Sequence, residues 1–241
     1  MPSAVRPVFS SSLVDHRMDK ALRIGVDIGG TFTDVTVLEI PGGAVHLGKA
    51  LSTPDNLVQG ILNAIDVAGV DLADAEFIIH GSTVVINALL ERKGARTALM
   101  TTAGFRDVYE IGRINRPDSF NLFFRKHVPL VPRERIYGIR ERVLANGDIL
   151  EPLDLPSVDG AVAEALAENV EAIGIVLLHS YKNIEHEKAV RDRIATLAPH
   201  LFVTASHELS REYREFERTS TTAANAFVGP KVSRYLRELE Q

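Results

Sequence analysis

From Asp27 to Asp34 the chain reads Asp-Ile-Gly-Gly-Thr-Phe-Thr-Asp. Two adjacent glycines let main-chain N–H groups approach a ligand closely. Thr31 and Thr33 add hydroxyls, and Asp27 and Asp34 put a carboxylate on either side. Donors for phosphate oxygens beside a carboxylate for a divalent cation are what a nucleotide-phosphate site requires. The plainer reading is a hairpin turn that happens to be polar.

The elements that must position this turn are legible around it. Ile24, Val26 and Ile28 alternate with Gly25 and Asp27, and Val35, Val37 and Leu38 resume an apolar run. That pattern predicts two strands joined by a tight turn. Other Gly-rich phosphate loops do not fit. No lysine follows Gly30, as a Walker A loop needs, and the paired glycines lead into β-branched residues rather than opening a helix. What remains resembles the first phosphate loop, Asp-x-Gly-x-Thr, of the actin, sugar-kinase and heat-shock-chaperone ATPase superfamily.

The rest of the chain is read in the same way. A third strand is predicted over 44–50, a helix opened by Thr53-Pro54-Asp55 with Leu57, Ile61, Ile65 and Ala68 as its apolar stripe, and a short strand over 76–79. A helix over 84–92 ended by Gly94 and a strand over 96–101 follow. Strands over 135–144 and 148–151 turn at Asn146-Gly147. Helices over 157–169, 184–198 and 215–239 then alternate with strands over 172–179 and 201–206. Three short strands followed by helix–strand alternation suit an α/β fold: an actin-like (ribonuclease H-like) ATPase half with a mixed sheet, flanking helices and an inserted strand pair. Residues 1–20 read as a disordered tail.

Composition excludes several classes. With 241 residues, a formal charge of −5 and no cysteine, disulfides, thiolate metal sites and cysteine nucleophiles are absent, and no basic excess serves nucleic acid. No apolar run has the length of a membrane span, and the first twenty residues lack a signal-peptide core, so a cytoplasmic location is expected.

Other chemistry-bearing residues cluster where strands are predicted to end. His80-Gly81-Ser82-Thr83 runs from a strand into a helix, either an anion site or a simple N-cap. His80, His179 and His207 all stand at strand ends, where open α/β sheets place ligands. His207-Glu208 and His186-Glu187 lack the second histidine of a zinc hydrolase, since Arg211 and Val190 occupy that place. Arg211, Arg214 and Arg218, interleaved with Glu212, Glu215 and Glu217, read as a solvated helix face with a phosphate or substrate role as the alternative. Arg113 and Arg116 lie in a loop, where arginine suits carboxylate or phosphate recognition.

Four segments together, DIGGTFTD (27–34), the stretch 80–117, VPRERIYGIRERVLANGDILEPLD (131–154) and SHELSREYREFERTSTTAANAFVGP (206–230), resemble the N-terminal part of the hydantoinase A/5-oxoprolinase family, with its acetone-carboxylase relatives. The resemblance implies ATP-dependent opening of a cyclic amide through phosphorylation of its oxygen, with Mg2+, and pairing with a B-type subunit or domain. It places Asp27, Thr31 and His207 in catalysis and Asp27 at the metal. Gly29, Gly30, Thr31, Thr33, Asp34, Gly81, Ser82, Thr83 and Asn87 would line the nucleotide, and Arg113 the substrate. It also implies a domain over 21–205, the start of a following domain over 206–241, and a longer protein in which this segment alone binds ATP weakly. An acetone- or acetophenone-type carboxylase subunit, a sugar-kinase-like phosphotransferase and a non-catalytic actin-like scaffold are the competing expectations.

Overall fold

The computed structural model describes residues 21–54, 56–113, 118, 120–124 and 128–240. The expected tail over 1–20 and Arg116 lie outside the described residues. The chain divides into two compact units, one ending at Ser82 and one beginning at Thr83.

In the first unit, β1 (Ala21–Ile28), β2 (Phe32–Ile40) and β3 (Val45–Leu51) form an antiparallel meander. Helix α1 (Leu57–Ala68) follows, and β4 (Ala75–Ser82) then lies parallel to β1, giving the order β3-β2-β1-β4. The period-two pattern sorts the side chains. Ile24, Val26, Ile28, Val35 and Val37 are buried on one face, while Arg23, Asp27 and Asp34 project from the other. Helix α1 buries Leu57, Ile61, Ala64, Ile65 and Ala68. The side chain of Asn56 caps its N-terminus, and Gly69 at φ 69° ends it. Gly48 is what lets helix and sheet meet: a Cβ there would lie 1.9 Å from the Ala64 carbonyl oxygen.

The second unit is built on a wholly parallel sheet. Helix α2 (Val84–Leu90) leads to β5 (Thr97–Thr102), the short α3 (Val108–Ile111) and β6 (Ile136–Ile139). A two-stranded hairpin, β7 (Arg142–Val143) and β8 (Ile149–Glu151), precedes α4 (Leu155–Ala167), β9 (Ala172–Val176), α5 (Glu185–Leu197) and β10 (Phe202–Ala205). The chain then forms the one-turn α6 (Ser206–Leu209) and the long α7 (Glu215–Leu239). Strand order is β10-β9-β5-β6. All five residues of β9 are buried, as a strand covered on both faces requires.

Three expectations need correction. The single mixed sheet is replaced by two four-stranded sheets, one mixed and one parallel, besides the small hairpin. The strand predicted over 135–144 breaks in two. Its apolar half, with Ile136, Tyr137 and Ile139 buried, joins β5 in the parallel sheet, and only Arg142–Val143 pairs with the exposed β8. Gly94 does not end α2; the helix stops at Leu90, and Arg92 at φ 54° turns the chain. Gly94 instead makes room for Phe227 of α7, whose ring a Cβ would meet at 2.3 Å. Among the described residues no helix is long and apolar enough to cross a membrane.

Candidate functional site

The turn between β1 and β2 is closed by Gly29 N–H donating to Phe32 O at 2.9 Å, and a Cβ on Gly29 would crowd that same oxygen. Ser52, just beyond β3, clamps the turn from both sides. Its N–H donates to Thr31 O at 2.9 Å and its hydroxyl to Gly29 O at 2.8 Å. That hydroxyl's one proton is thereby used, so Thr33 must donate to Ser52 Oγ across 3.1 Å. Thr33 is fully buried. It points toward α1, 3.2 Å from where a Cβ on Gly60 would stand, and its hydroxyl orders the turn from beneath. Gly30 and Thr31 are exposed at the tip. The turn therefore has a rigid underside and a free upper side.

Two carboxylates face each other across the strand pair, Asp27 opposite Asp34. Their circumstances differ. Lys49 Nζ lies 2.7 Å from Asp34 Oδ1 and 4.8 Å from the Phe32 ring centre, so Asp34 is neutralised. Asp27 is exposed, and among the described residues no hydrogen bond or ion pair occupies it. Its neighbour on the other side is Gly81, whose missing side chain keeps that flank open; a Cβ would sit 3.7 Å from Asp27 Oδ1. One position earlier, His80 has its pKa lowered by burial, against the opposing pull of its own backbone hydrogen bond and the Asp27 charge. Among the described residues no three His, Asp or Glu side chains converge on one point. A divalent cation here would rest on Asp27, water and phosphate oxygens, which is how Mg2+ is ordinarily held beside a nucleotide. The residues present fit that cation and a polyphosphate.

Thr83 and Asn87 open the second unit. Asn87 Nδ2 donates to Thr83 Oγ1 at 3.2 Å, and Thr83 makes no side-chain cap. With seven residues, α2 has too weak a dipole to stand as an anion site by itself.

The carboxyl ends of the parallel strands carry a buried polar network. Glu187, fully buried on α5, accepts from Leu177 N at 2.8 Å and Ser206 Oγ at 2.6 Å through one oxygen. Through the other it accepts from His207 N at 3.0 Å and pairs with His207 Nδ1 at 2.7 Å. A carboxylate at Nδ1 fixes the proton there and leaves Nε2 as the acceptor. Beside it, Glu141 holds His186 Nδ1 at 2.7 Å and accepts from Thr102 Oγ1, whose oxygen in turn accepts from Leu178 N at 2.8 Å. His179 sits at φ 57°, with Nδ1 3.3 Å from the Tyr181 hydroxyl. Arg113 is exposed and tied to Glu217.

The arginine run is not one solvated helix face: Arg211 and Arg214 are exposed but precede α7, and Arg218, on α7, is fully buried. Ser52, Lys49 and Glu141 escaped the sequence reading, and Glu187 entered it only in a rejected zinc motif. Only a register placing Ser52 beside the turn, or Glu187 at the strand ends, would have revealed them.

Residues 23–197 match the hydantoinase/oxoprolinase N-terminal region, so the chain belongs to that family. An uncharacterised protein of Methanocaldococcus jannaschii is 40% identical over 218 residues, covering 89% of this chain and 32% of that protein. Caprolactamase subunit alpha of Pseudomonas jessenii is 33% identical over 229 residues, covering 90% and 33%. The crystal structure of the ATP-dependent caprolactamase from that organism superposes with a TM-score of 0.78. The nucleotide-free structure of acetone carboxylase, from a study of ATP-dependent acetone carboxylation, superposes with a TM-score of 0.81 at 28% identity, covering 92% of this chain and 34% of that one. The chain thus spans about a third of the length of these curated relatives.

Proposed function

We propose that this chain supplies the phosphate grip of an ATP-dependent enzyme that opens a cyclic amide. The observation carrying the reading is the turn at 29–31, clamped from below by Ser52 and exposed above, with the Asp27 carboxylate beside it, exposed and unpaired among the described residues. ATP would supply a phosphoryl group that, placed on the amide oxygen, makes the carbonyl carbon a better electrophile for water, and the ring opens as the nitrogen leaves. The main-chain amides and Thr31 hold phosphate oxygens, and Asp27 holds Mg2+ through water. Asp34, already paired with Lys49, sets the local charge rather than binding the cation. Ser82 extends the same wall, and in the second unit Thr83 and Asn87 are assigned to the nucleotide and Arg113 to the substrate. His207, held by Glu187, offers Nε2 as a proton acceptor. The meander β1–β3 with β4 parallel to β1 suits an actin-like half. Residues 206–241 would begin the next domain of a longer protein that works with a B-type partner.

The likeness to acetone carboxylase favours a second reading, in which the same phosphate grip activates a ketone for carboxylation. The complete enzyme with its partner distinguishes the two. ATP turnover stimulated by hydantoin, 5-oxoproline or a lactam without bicarbonate is the expected result. Turnover that requires a ketone and bicarbonate would replace the hydrolase by the carboxylase. No ATP turnover with either would leave the non-catalytic scaffold.

A further inference from the structure

The sheet of the first unit has two faces, and helix α1 packs over the one that carries Val26, Val35 and Val37. The register fixes what stands on the other. On β3 its outward residues are Val45 and Leu47, and on β4 they are Phe77 and Ile79. Between these, on β2 and β1, lie Leu38, Thr36 and Gly25. All four residues on β3 and β4 are exposed, Leu47 by 70% and Ile79 by 62%. A sheet face left to water alternates apolar-in with polar-out. Here the outward positions of both edge strands are apolar as well, which is the pattern of a sheet covered on two sides. A contiguous apolar patch of this kind marks an interaction surface.

The shape of the patch selects what lies on it. Strands β3 and β4 stand three strand spacings apart, about 14 Å. Their apolar side chains make two ridges, and the floor between them drops at Gly25, which has no side chain. An α-helix with its side chains is about 10–12 Å across, so the trough takes one helix lengthwise. The sheet of a second copy would rest on the ridges and leave the floor empty. Charge is distributed to match. The rows from Val45 to Phe77 and from Leu47 to Ile79 hold a single charge, Arg23, whose guanidinium lies 4.0 Å from Glu76. The next row holds Lys49, Asp34 and Asp27. From the Arg23 row to the Asp27 row is about 13 Å of strand, or between two and three helical turns.

We infer that this trough is the docking site of one amphipathic helix, supplied by the part of a family-length polypeptide that follows residue 241. The matching family model is that of an N-terminal region, and the chain spans about a third of the curated relatives, so such a polypeptide has ample chain beyond this point. The helix sets an uncharged face against Leu47, Leu38, Phe77 and Ile79, with small side chains over Gly25. Its end stands at the row of Asp27 and Asp34, where it walls the open flank of the β1–β2 turn and keeps water from it. The docking rests on the reading of a longer protein and is independent of the choice of ATP.

Thiol labelling of the complete protein tests it. The 241 residues contain no cysteine, so a cysteine introduced among them is unique there. Leu47→Cys reports on the trough, and Val67→Cys, exposed on α1, serves as the control. With labelled peptides followed by mass spectrometry, Leu47→Cys should react at least tenfold more slowly than Val67→Cys, and the two rates should become equal when the protein is unfolded in urea. A photo-crosslinking amino acid placed at position 47 should then join to a peptide from beyond residue 241 of the same polypeptide. Labelling of Leu47→Cys as fast as the control would overturn the docking. So would a cross-link to a second copy, to a partner subunit or to any segment within residues 1–241. A trough protected and cross-linked as expected, in an enzyme that turns over no ATP, would count against the phosphate grip and leave the docking standing.

Discussion

Ser52→Ala is the sharpest perturbation of the phosphate turn. It removes the hydroxyl that donates to Gly29 O at 2.8 Å and accepts from Thr33 at 3.1 Å. The two losses are unequal. Ser52 is only half buried, so water can reach the Gly29 carbonyl and the net loss there is about 0.5–1.5 kcal/mol. Thr33 is fully buried, so its donor is stranded, at about 1–3 kcal/mol. The sum, about 1.5–4.5 kcal/mol, should appear as a lowered urea midpoint of the first unit with an unchanged slope. Thr33→Val in the Ser52→Ala background removes the stranded donor and should restore most of the second loss. The double-mutant cycle should therefore show a coupling of about 1–3 kcal/mol. Affinity for MgATP in the complete enzyme should fall with the single substitution, because the amides of Gly30 and Thr31 lose their fixed aim. A cost below about 0.5 kcal/mol for Ser52→Ala, the range of an uninvolved surface residue, would refute the clamp.

Other consequences can be checked alongside it. Asp27→Asn should abolish ATP-dependent turnover in the complete enzyme and leave the circular dichroism and melting of the chain unchanged, since the carboxylate it replaces is exposed and unpaired among the described residues. Gly48→Ala should destabilise the first unit by about 1–3 kcal/mol in chemical denaturation, because its Cβ collides with the Ala64 backbone and α1 must move off β3. Burial lowers the His80 pKa in the folded state, so the folded protein resists its protonation. The stability His80 contributes is complete above its ordinary value of 6.5 and is lost as pH falls through the lowered folded value; His80→Gln should flatten that part of the Tm–pH profile. Glu187→Gln should release the tautomer of His207, lowering kcat of the complete enzyme more than it raises KM, and an unchanged kcat would remove His207 from the chemistry.

The first unit is legible in the sequence because its signals are local. Alternation over Ile24–Ile28 and Val35–Val37 sets the faces, and the paired glycines mark the turn. The free side of the turn was not legible. Thr31 and Thr33 look alike in sequence, and only the pairing of Ile28 with Thr33 shows that Thr33 lies on the buried face. The boundary of the parallel sheet was hidden for a related reason: Ile136–Ile139 and Arg142–Val143 read as one run, and their partners, β5 and β8, are set by tertiary packing. Arg218 was concealed by its neighbours. Arg211, Arg214 and Arg218 share spacing and charge, yet only Arg218 is on α7, which lies along the parallel sheet, so Thr222 would meet a Cβ on Gly174 at 3.1 Å and Arg218, one turn earlier, enters the core. Sequence spacing gives the helix face and cannot say which face the sheet covers.

The central claim is that exposed main-chain amides of the β1–β2 turn hold the phosphates of ATP beside Asp27. NMR of the labelled chain at millimolar MgATP tests it most directly. The amides of Gly30 and Thr31 should shift together, with inorganic triphosphate reproducing the effect and Asp27→Asn diminishing it. Shifts confined to residues elsewhere, with these two amides unmoved at saturation, would contradict it.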